Sequence, residues 1–229
     1  MADSKSNSAP HIERLRPDMR DAFDGLLNIY REAIPPSERK TGDALGTMLG
    51  RSGYEFFIAT LDDAVVGFSI VKCFDRTDAG LLEYMAVARS VRGRGIGGAI
   101  FRAACGSEAT ASRYVLLEVD AAAEASADQA IRAGRISFYR RLGCREVAGL
   151  SYLMPSVAAE APPQMNLLVY RHVMSETIAK PELRQWLQCI YAEVYHQPAD
   201  DPRIDLMLSG LADRIALRSR DLPDSGGSA

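Results

Sequence analysis

The stretch Leu81–Cys105 reads LLEYMAVARSVRGRGIGGAIFRAAC. An apolar run ending at Val87 has strand character, a turn carrying Arg92 and Arg94 among glycines follows, and small residues open a helix from about Gly95 to Cys105. A strand feeding a helix through such a turn points the helix's first backbone N–H groups at one spot. That spot lies beside the positive end of the helix dipole, with no side chain in the way. The junction suits an anion, and above all a phosphate.

Working upstream, Tyr54–Leu61 and Ala64–Phe74 are apolar β segments separated only by Asp62-Asp63, which predicts an antiparallel hairpin. Downstream, Tyr114–Val119 is a compact apolar run after the helix, and its natural place is parallel to Leu81–Val87 through one crossover. The order is therefore a hairpin followed by a single βαβ unit. Before the hairpin come a short strand at His11–Leu15 and a helix over about Met19–Glu32. Asp18 is the expected cap of that helix, with Phe23, Leu26, Leu27 and Tyr30 on its buried face. Pro35-Pro36 ends it, and a shorter helix follows at about Thr41–Leu49.

Beyond Val119, residues 120–134 are Ala-rich and read as a helix or a mobile insert, and Arg135–Leu142 closes a helix at Gly143 with a left-handed cap. Cys144–Met154 and Met165–His172 read as a last strand pair around the linker Pro155–Gln164. Two amphipathic helices are expected after that. Pro181–Tyr195 aligns Leu183, Leu187, Ile190 and Val194, and Arg203–Leu217 aligns Ile204, Leu208, Leu211 and Ile215. The organisation expected is one α/β domain over 10–173, a helical extension over 174–220, and disordered tails at 1–9 and 221–229.

Composition narrows the function classes. The chain has 229 residues and a net charge of −3, which argues against a general nucleic-acid binder, since those carry a clustered cationic excess. No apolar run approaches the roughly 20 residues that span a bilayer, and the opening MADSKSNSAP lacks an apolar signal region. A cytoplasmic protein without a membrane partner is expected. The four cysteines, Cys73, Cys105, Cys144 and Cys189, are far apart in apolar segments and suggest buried free thiols rather than a disulfide framework or a metal site.

Gly93, Gly95 and Gly98 formally satisfy the dinucleotide fingerprint, and Asp120 lies at the end of the next strand. That would make the chain a nicotinamide-dependent oxidoreductase. Against it, Ala88–Arg92 intervenes between strand and glycines, only one crossover is present, and arginines stand where backbone alone should meet the pyrophosphate. A nucleoside-triphosphate loop is also excluded, because no Gly-Lys-Ser/Thr follows.

The whole pattern resembles the GNAT superfamily of N-acetyltransferases. Arg92-Gly93-Arg94-Gly95-Ile96-Gly97 is similar to that superfamily's Arg/Gln-x-x-Gly-x-Gly/Ala pyrophosphate loop, and Phe138-Tyr139-Arg140-Arg141-Leu142-Gly143-Cys144 is similar to its Phe-Tyr-x-x-x-Gly-Phe segment. The likeness covers about residues 10–173. It implies a mixed, mostly antiparallel central sheet with one parallel βαβ crossover and helices on both faces. It also implies acetyl-coenzyme A as cosubstrate, no metal, and direct transfer of acetyl to a primary amine of a small molecule or peptide.

By the same resemblance, Arg92, Gly93, Arg94, Gly95, Ile96 and Gly97 hold the pyrophosphate. The backbone of Met85, Ala86 and Val87 bonds the pantetheine and polarises the thioester carbonyl. Tyr139 protonates the departing sulfur. Glu118, in a Leu-Glu-Val strand, is the base, with Glu83 competing for that role. Relatives with this strand usually carry Asn seven residues before the tyrosine, where this chain has Arg132. A non-catalytic acyl-coenzyme A sensor is the alternative function. Covering the core, forming a homodimer contact and closing over the acceptor are all roles open to the C-terminal extension.

Overall fold

The computed structural model describes residues 9–121, 129–155 and 165–219. The expectations for the two tails beyond these limits, for residues 122–128 of the insert and for the linker after Pro155 lie outside the described residues. The chain divides into two compact units, one formed by Met1–Cys73 and Leu82–Thr110, the other by Phe74–Leu81 and Ala111–Ala229.

The first unit carries strands β1 (His11–Arg14), β2 (Tyr54–Leu61), β3 (Ala64–Cys73) and the later part of β4 (Ala79–Val87), side by side in that order. β1 pairs antiparallel with β2, and β2 with β3. The hairpin turn is made by Asp62 and Asp63 at φ 48° and 63°. Left-handed backbone at both central positions is what a two-residue turn needs to match strand twist, and aspartate tolerates it. On one face α1 (Arg20–Ala33) and α2 (Gly42–Leu49) bury Leu26, Leu27, Tyr30 and Leu45 against Phe56, Ile58, Phe68 and Ile70. On the other, α3 (Ile96–Cys105) lays Ile96 and Ile100 on Ala59 and Leu61.

α1 begins one residue away from the cap expected from sequence. Met19 is its N-cap, with no side-chain capping bond, and Asp18 contributes only its carbonyl, to Arg20 N–H. For α2 the capping oxygen is Thr41 Oγ1, which accepts from Ala44 N–H at 3.2 Å.

In the second unit the strand order is β4, β5 (Tyr114–Asp120), β7 (Met165–Tyr170), β6 (Arg145–Val147), β9 (Arg214–Arg218) and β8 (Thr177–Ala179). The parallel ladder joins Ala79, Gly80 and Leu81 of β4 to Tyr114, Val115 and Leu116 of β5. β5 then pairs antiparallel with β7 from Val115 to Asp120. Helix α4 (Gln129–Arg141) packs on β5 and ends at Gly143, φ +96°, the expected left-handed cap.

The C-terminal segment departs from the sequence expectation. Residues 180–194 are helical, α5 (Lys180–Cys189) running into a π turn at Ile190–Val194, but the second helix, α6 (Pro202–Ser209), stops at Gly210. Arg214–Arg218 is strand β9, with Ile215 and Leu217 buried and the residues between them exposed. Ile204, Leu208, Leu211 and Ile215 satisfy a helical period by coincidence, and the two-residue alternation of Ile215 and Leu217 is the pattern that prevails. The segment shares one core with the preceding strands. Trp186, Leu187, Ile190 and Ile215 are buried with Leu116, Leu167 and Val169, and the Trp186 ring lies 4.7 Å from that of Tyr114.

All four cysteines are buried thiols outside any disulfide, and burial pushes the Cys144 thiol up to about 12. No helix among the described residues is long and apolar enough to cross a membrane.

Asp201 caps α6 by accepting from Arg203 N–H at 3.0 Å, and its two carboxylate oxygens take the Arg203 guanidinium at 2.8 and 2.7 Å. Those bonds hold its pKa down at about 2, against an ordinary 3.8. A depressed carboxylate stabilises the fold above its unfolded pKa and loses that contribution as pH falls through the folded value. Asp201→Ala is therefore expected to cost about 1–2 kcal/mol near neutrality in denaturant melts, and the gap from the parent should narrow as pH drops from 3.8 toward 2.

Candidate functional site

The glycine junction belongs to the first unit. After Val87 a 3-10 turn, Arg89–Val91, leads into Arg92-Gly93-Arg94-Gly95. The Arg92 side chain folds back, its Nε–H donating to the Val87 carbonyl at 3.1 Å, which closes the loop on the end of the strand. Gly93 and Gly95 lie at φ +80° and +81°, and a Cβ on either would meet nothing within 4 Å. Glycine is demanded here by backbone conformation and not by crowding, and the ground above the loop is open. Gly95 is the N-cap of α3 and offers no side chain. The first bond into the helix runs from Ala99 N–H to Gly95 O at 3.1 Å, so the N–H groups of Ile96, Gly97 and Gly98 precede the helical ladder. Open cradle, positive helix end and the exposed Arg92 and Arg94 together fit a diphosphate.

Along β4 the side chains alternate. Met85 and Val87 pack in the cluster of Ile96 and Ile100, while Tyr84 and Ala86 join the core under α1. Glu83 is also on this strand, with its side chain only 5% exposed. Its Oε1 accepts from the ammonium of Lys40, a residue just ahead of α2, whereas its Oε2 is buried without a hydrogen-bond partner. Two tyrosines frame the pair. Lys40 N–H donates to the Tyr30 hydroxyl at 2.8 Å, Tyr84 donates to the Glu38 carbonyl at 3.1 Å, and the two rings meet edge to face at 5.1 Å. Burial, with the Glu83 charge next in weight, pushes the Tyr84 hydroxyl far above its ordinary pKa, so it remains a donor.

Glu118 and Tyr139 belong to the second unit. Glu118, on β5, accepts the Tyr152 hydroxyl at Oε1 and the Tyr195 hydroxyl at Oε2, the latter at 2.6 Å. Tyr152 is buried, and burial together with the Glu118 charge raises its pKa well above the ordinary value. Tyr195 follows the π turn, and in the same turn Tyr191 donates to the Leu153 carbonyl. Tyr139 is buried on α4 with its ring edge-on to Phe138 at 5.1 Å. Its carbonyl accepts from both Leu142 and Cys144 N–H at 3.1 Å, so the turn at Gly143 fixes the end of this helix.

Lys40, Tyr152 and Tyr195 are absent from the sequence-based set. Tyr195 is 77 residues from Glu118 along the chain, and no spacing rule connects them. A glutamate in an otherwise apolar strand is the sequence signal that donors come from elsewhere in the chain.

Residues 52–146, less than half of the chain, match the family model described as an acetyltransferase (GNAT) domain. Over these residues the chain is similar to that family. Solved structures share its fold. A GNAT-family acetyltransferase, described as putative, from Bacteroides thetaiotaomicron is 20% identical with TM-score 0.64, covering 81% of this chain and 98% of its own. The ribosomal-protein-S18-alanine N-acetyltransferase of Escherichia coli is 19% identical with TM-score 0.53, covering 73% and 96%. A protein of Desulfovibrio desulfuricans, also described as a putative GNAT acetyltransferase, is 18% identical with TM-score 0.55, covering 71% and 99%. No curated protein matches the chain. The GNAT model ends at residue 146, so Tyr152 and Tyr195 lie outside it. Among the described residues no group of three or more His, Cys, Asp or Glu is placed to hold a metal ion.

Tyr195→Phe removes the hydroxyl that donates to Glu118 and keeps the ring. A loss of about 1.5–3 kcal/mol in denaturant-determined stability is expected, and an unchanged melt would show that the Tyr195–Glu118 bond contributes nothing.

Proposed function

We propose that the chain is an acetyl-coenzyme A-dependent N-acetyltransferase acting on a primary amine. The observation that carries this reading is the open glycine junction of β4 and α3 within the segment that matches the GNAT domain model, with Gly93 and Gly95 in left-handed backbone that favours glycine. Acetyl-coenzyme A supplies an acetyl group held as a thioester. In the transfer, a bond forms between the amine nitrogen and the acetyl carbon, the carbon–sulfur bond breaks, and one proton leaves nitrogen while another reaches sulfur.

Each candidate residue has a place in that scheme. Backbone N–H groups over 92–97 hold the pyrophosphate, with Arg92 and Arg94 adding charge at the rim. The backbone of Met85–Val87 orients the pantetheine arm and stabilises charge developing on the carbonyl oxygen. Tyr139 gives its proton to the departing sulfur. For the amine proton the observed contacts favour Glu83 over Glu118. Both oxygens of Glu118 already accept tyrosine hydroxyls, whereas Glu83 Oε2 has none. Glu118 is then the anchor that holds Tyr152 and Tyr195. We take the acyl-transfer domain as 10–173 and the segment after it as its extension. Four buried thiols suit a reducing compartment, the cytoplasm.

The test is release of free thiol from acetyl-coenzyme A with a panel of amines. Tyr139→Phe and Glu83→Gln are each expected to lower kcat by about 10²-fold or more while coenzyme binding persists, and Glu118→Gln to act mainly on stability. Coenzyme binding with no thiol release for any amine would make the chain an acyl-coenzyme A sensor. Tighter binding of a nicotinamide dinucleotide than of coenzyme A would overturn the assignment altogether.

A further inference from the structure

The contacts of Glu83 say what kind of amine the site receives. We infer that the acceptor is zwitterionic, an amine with a carboxylate a few bonds away as in a free α-amino acid, and that it is taken up by an exchange of ion pairs between Glu83 and Lys40. This rests on the acetyltransferase reading above and names its substrate class.

Glu83 is a carboxylate with 5% of its side chain exposed, one oxygen on the Lys40 ammonium and the other buried without a donor. A buried acceptor left unmade is costly, and a charged one more so. The site is therefore short of one hydrogen-bond donor. The Lys40 side chain is 28% exposed against 5% for Glu83, so the lysine is the more accessible member of the pair.

Lys40 can yield its place because its ammonium sits on a flexible four-carbon stem. Its backbone cannot move as easily, since its N–H is bonded to the Tyr30 hydroxyl at 2.8 Å and Tyr30 is itself buried. The side chain therefore swings about a fixed pivot. Lys40 Nζ lies 6.0 Å from the centre of the Tyr84 ring, which accommodates a cation along this path.

The balance of charge then selects the ligand. If a simple amine displaces Lys40 from Glu83, one ion pair forms and one is lost, and the Lys40 ammonium is left half-buried without its anion. If the amine brings its own carboxylate, the acceptor's ammonium goes to Glu83 and its carboxylate to Lys40. One internal pair becomes two, and Glu83 gains the donor it lacks. The ammonium has three donors and no acceptor, so a carboxylate is the partner it can bind directly.

The experiment uses the full chain and three matched probes at fixed acetyl-coenzyme A. These are free L-amino acids, their carboxamides, and the corresponding decarboxylated amines. Free amino acids are expected to exceed the other two by about tenfold or more in kcat/KM, because a site built to pair a charged group rejects the analogue lacking it. In Lys40→Met that preference should collapse toward unity through KM, and Lys40→Arg should restore it. Calorimetry of amino acid binding without acetyl-coenzyme A gives a readout independent of turnover, with binding expected in the parent and lost in Lys40→Met that still melts cooperatively. Carboxamides or plain amines acetylated as well as amino acids would overturn the inference and leave the acetyltransferase reading standing. Amino acids that bind through Lys40 with no thiol released from any probe would instead sink that reading and keep the site. No binding and no preference would remove the inference outright.

Discussion

A carboxylate inside an apolar strand must be given hydrogen-bond donors, and Glu83 and Glu118 are among the glutamates that impose that demand here. Leaving such a charge unpaired costs more than most single contacts in a domain return. Glu83 is answered by Lys40, Glu118 by Tyr152 and Tyr195. The answers differ in kind. An ammonium on a flexible stem can be exchanged for another ammonium. Two tyrosine hydroxyls, one of them on a fully packed ring, are a fixed cage. Resemblance alone placed both carboxylates in the same role, and their partners are what tell them apart.

The glycine junction poses a conformational demand rather than an electrostatic one. Two residues of the loop stand in left-handed backbone with empty space beyond them. The chain therefore accepts an entropic cost for a loop that packs against nothing of its own at those points. Such a loop is justified by a ligand, and the donors that open α3 and the neighbouring arginines describe an anionic one. The Arg92 bond to Val87 ties the loop to the strand end.

In the second unit the residues after His172 pair with and pack on the strands that precede them. β9 pairs with β6, β8 with β9, and Trp186 is buried beside Tyr114. Tyr195 reaches Glu118 from the end of a π turn, in which one extra residue per turn rotates the side chains that follow. The C-terminal segment thereby sets the surroundings of a residue that the GNAT domain model contains but does not surround.

The sequence by itself determined the hairpin, the single parallel crossover, the glycine cradle and the capped helix before Cys144. Each is written in local pattern, whether alternation, a two-residue Asp62-Asp63 turn, or a glycine where φ is positive. It misjudged Arg214–Arg218, where four apolar residues fit a helical period while the strand alternation was only two residues long. It puts Glu118 ahead of Glu83 as the base without showing what surrounds either. Only the tertiary structure decided between their surroundings, because Lys40, Tyr152 and Tyr195 come from distant parts of the chain. Their meeting with a carboxylate is a property of packing that no spacing encodes.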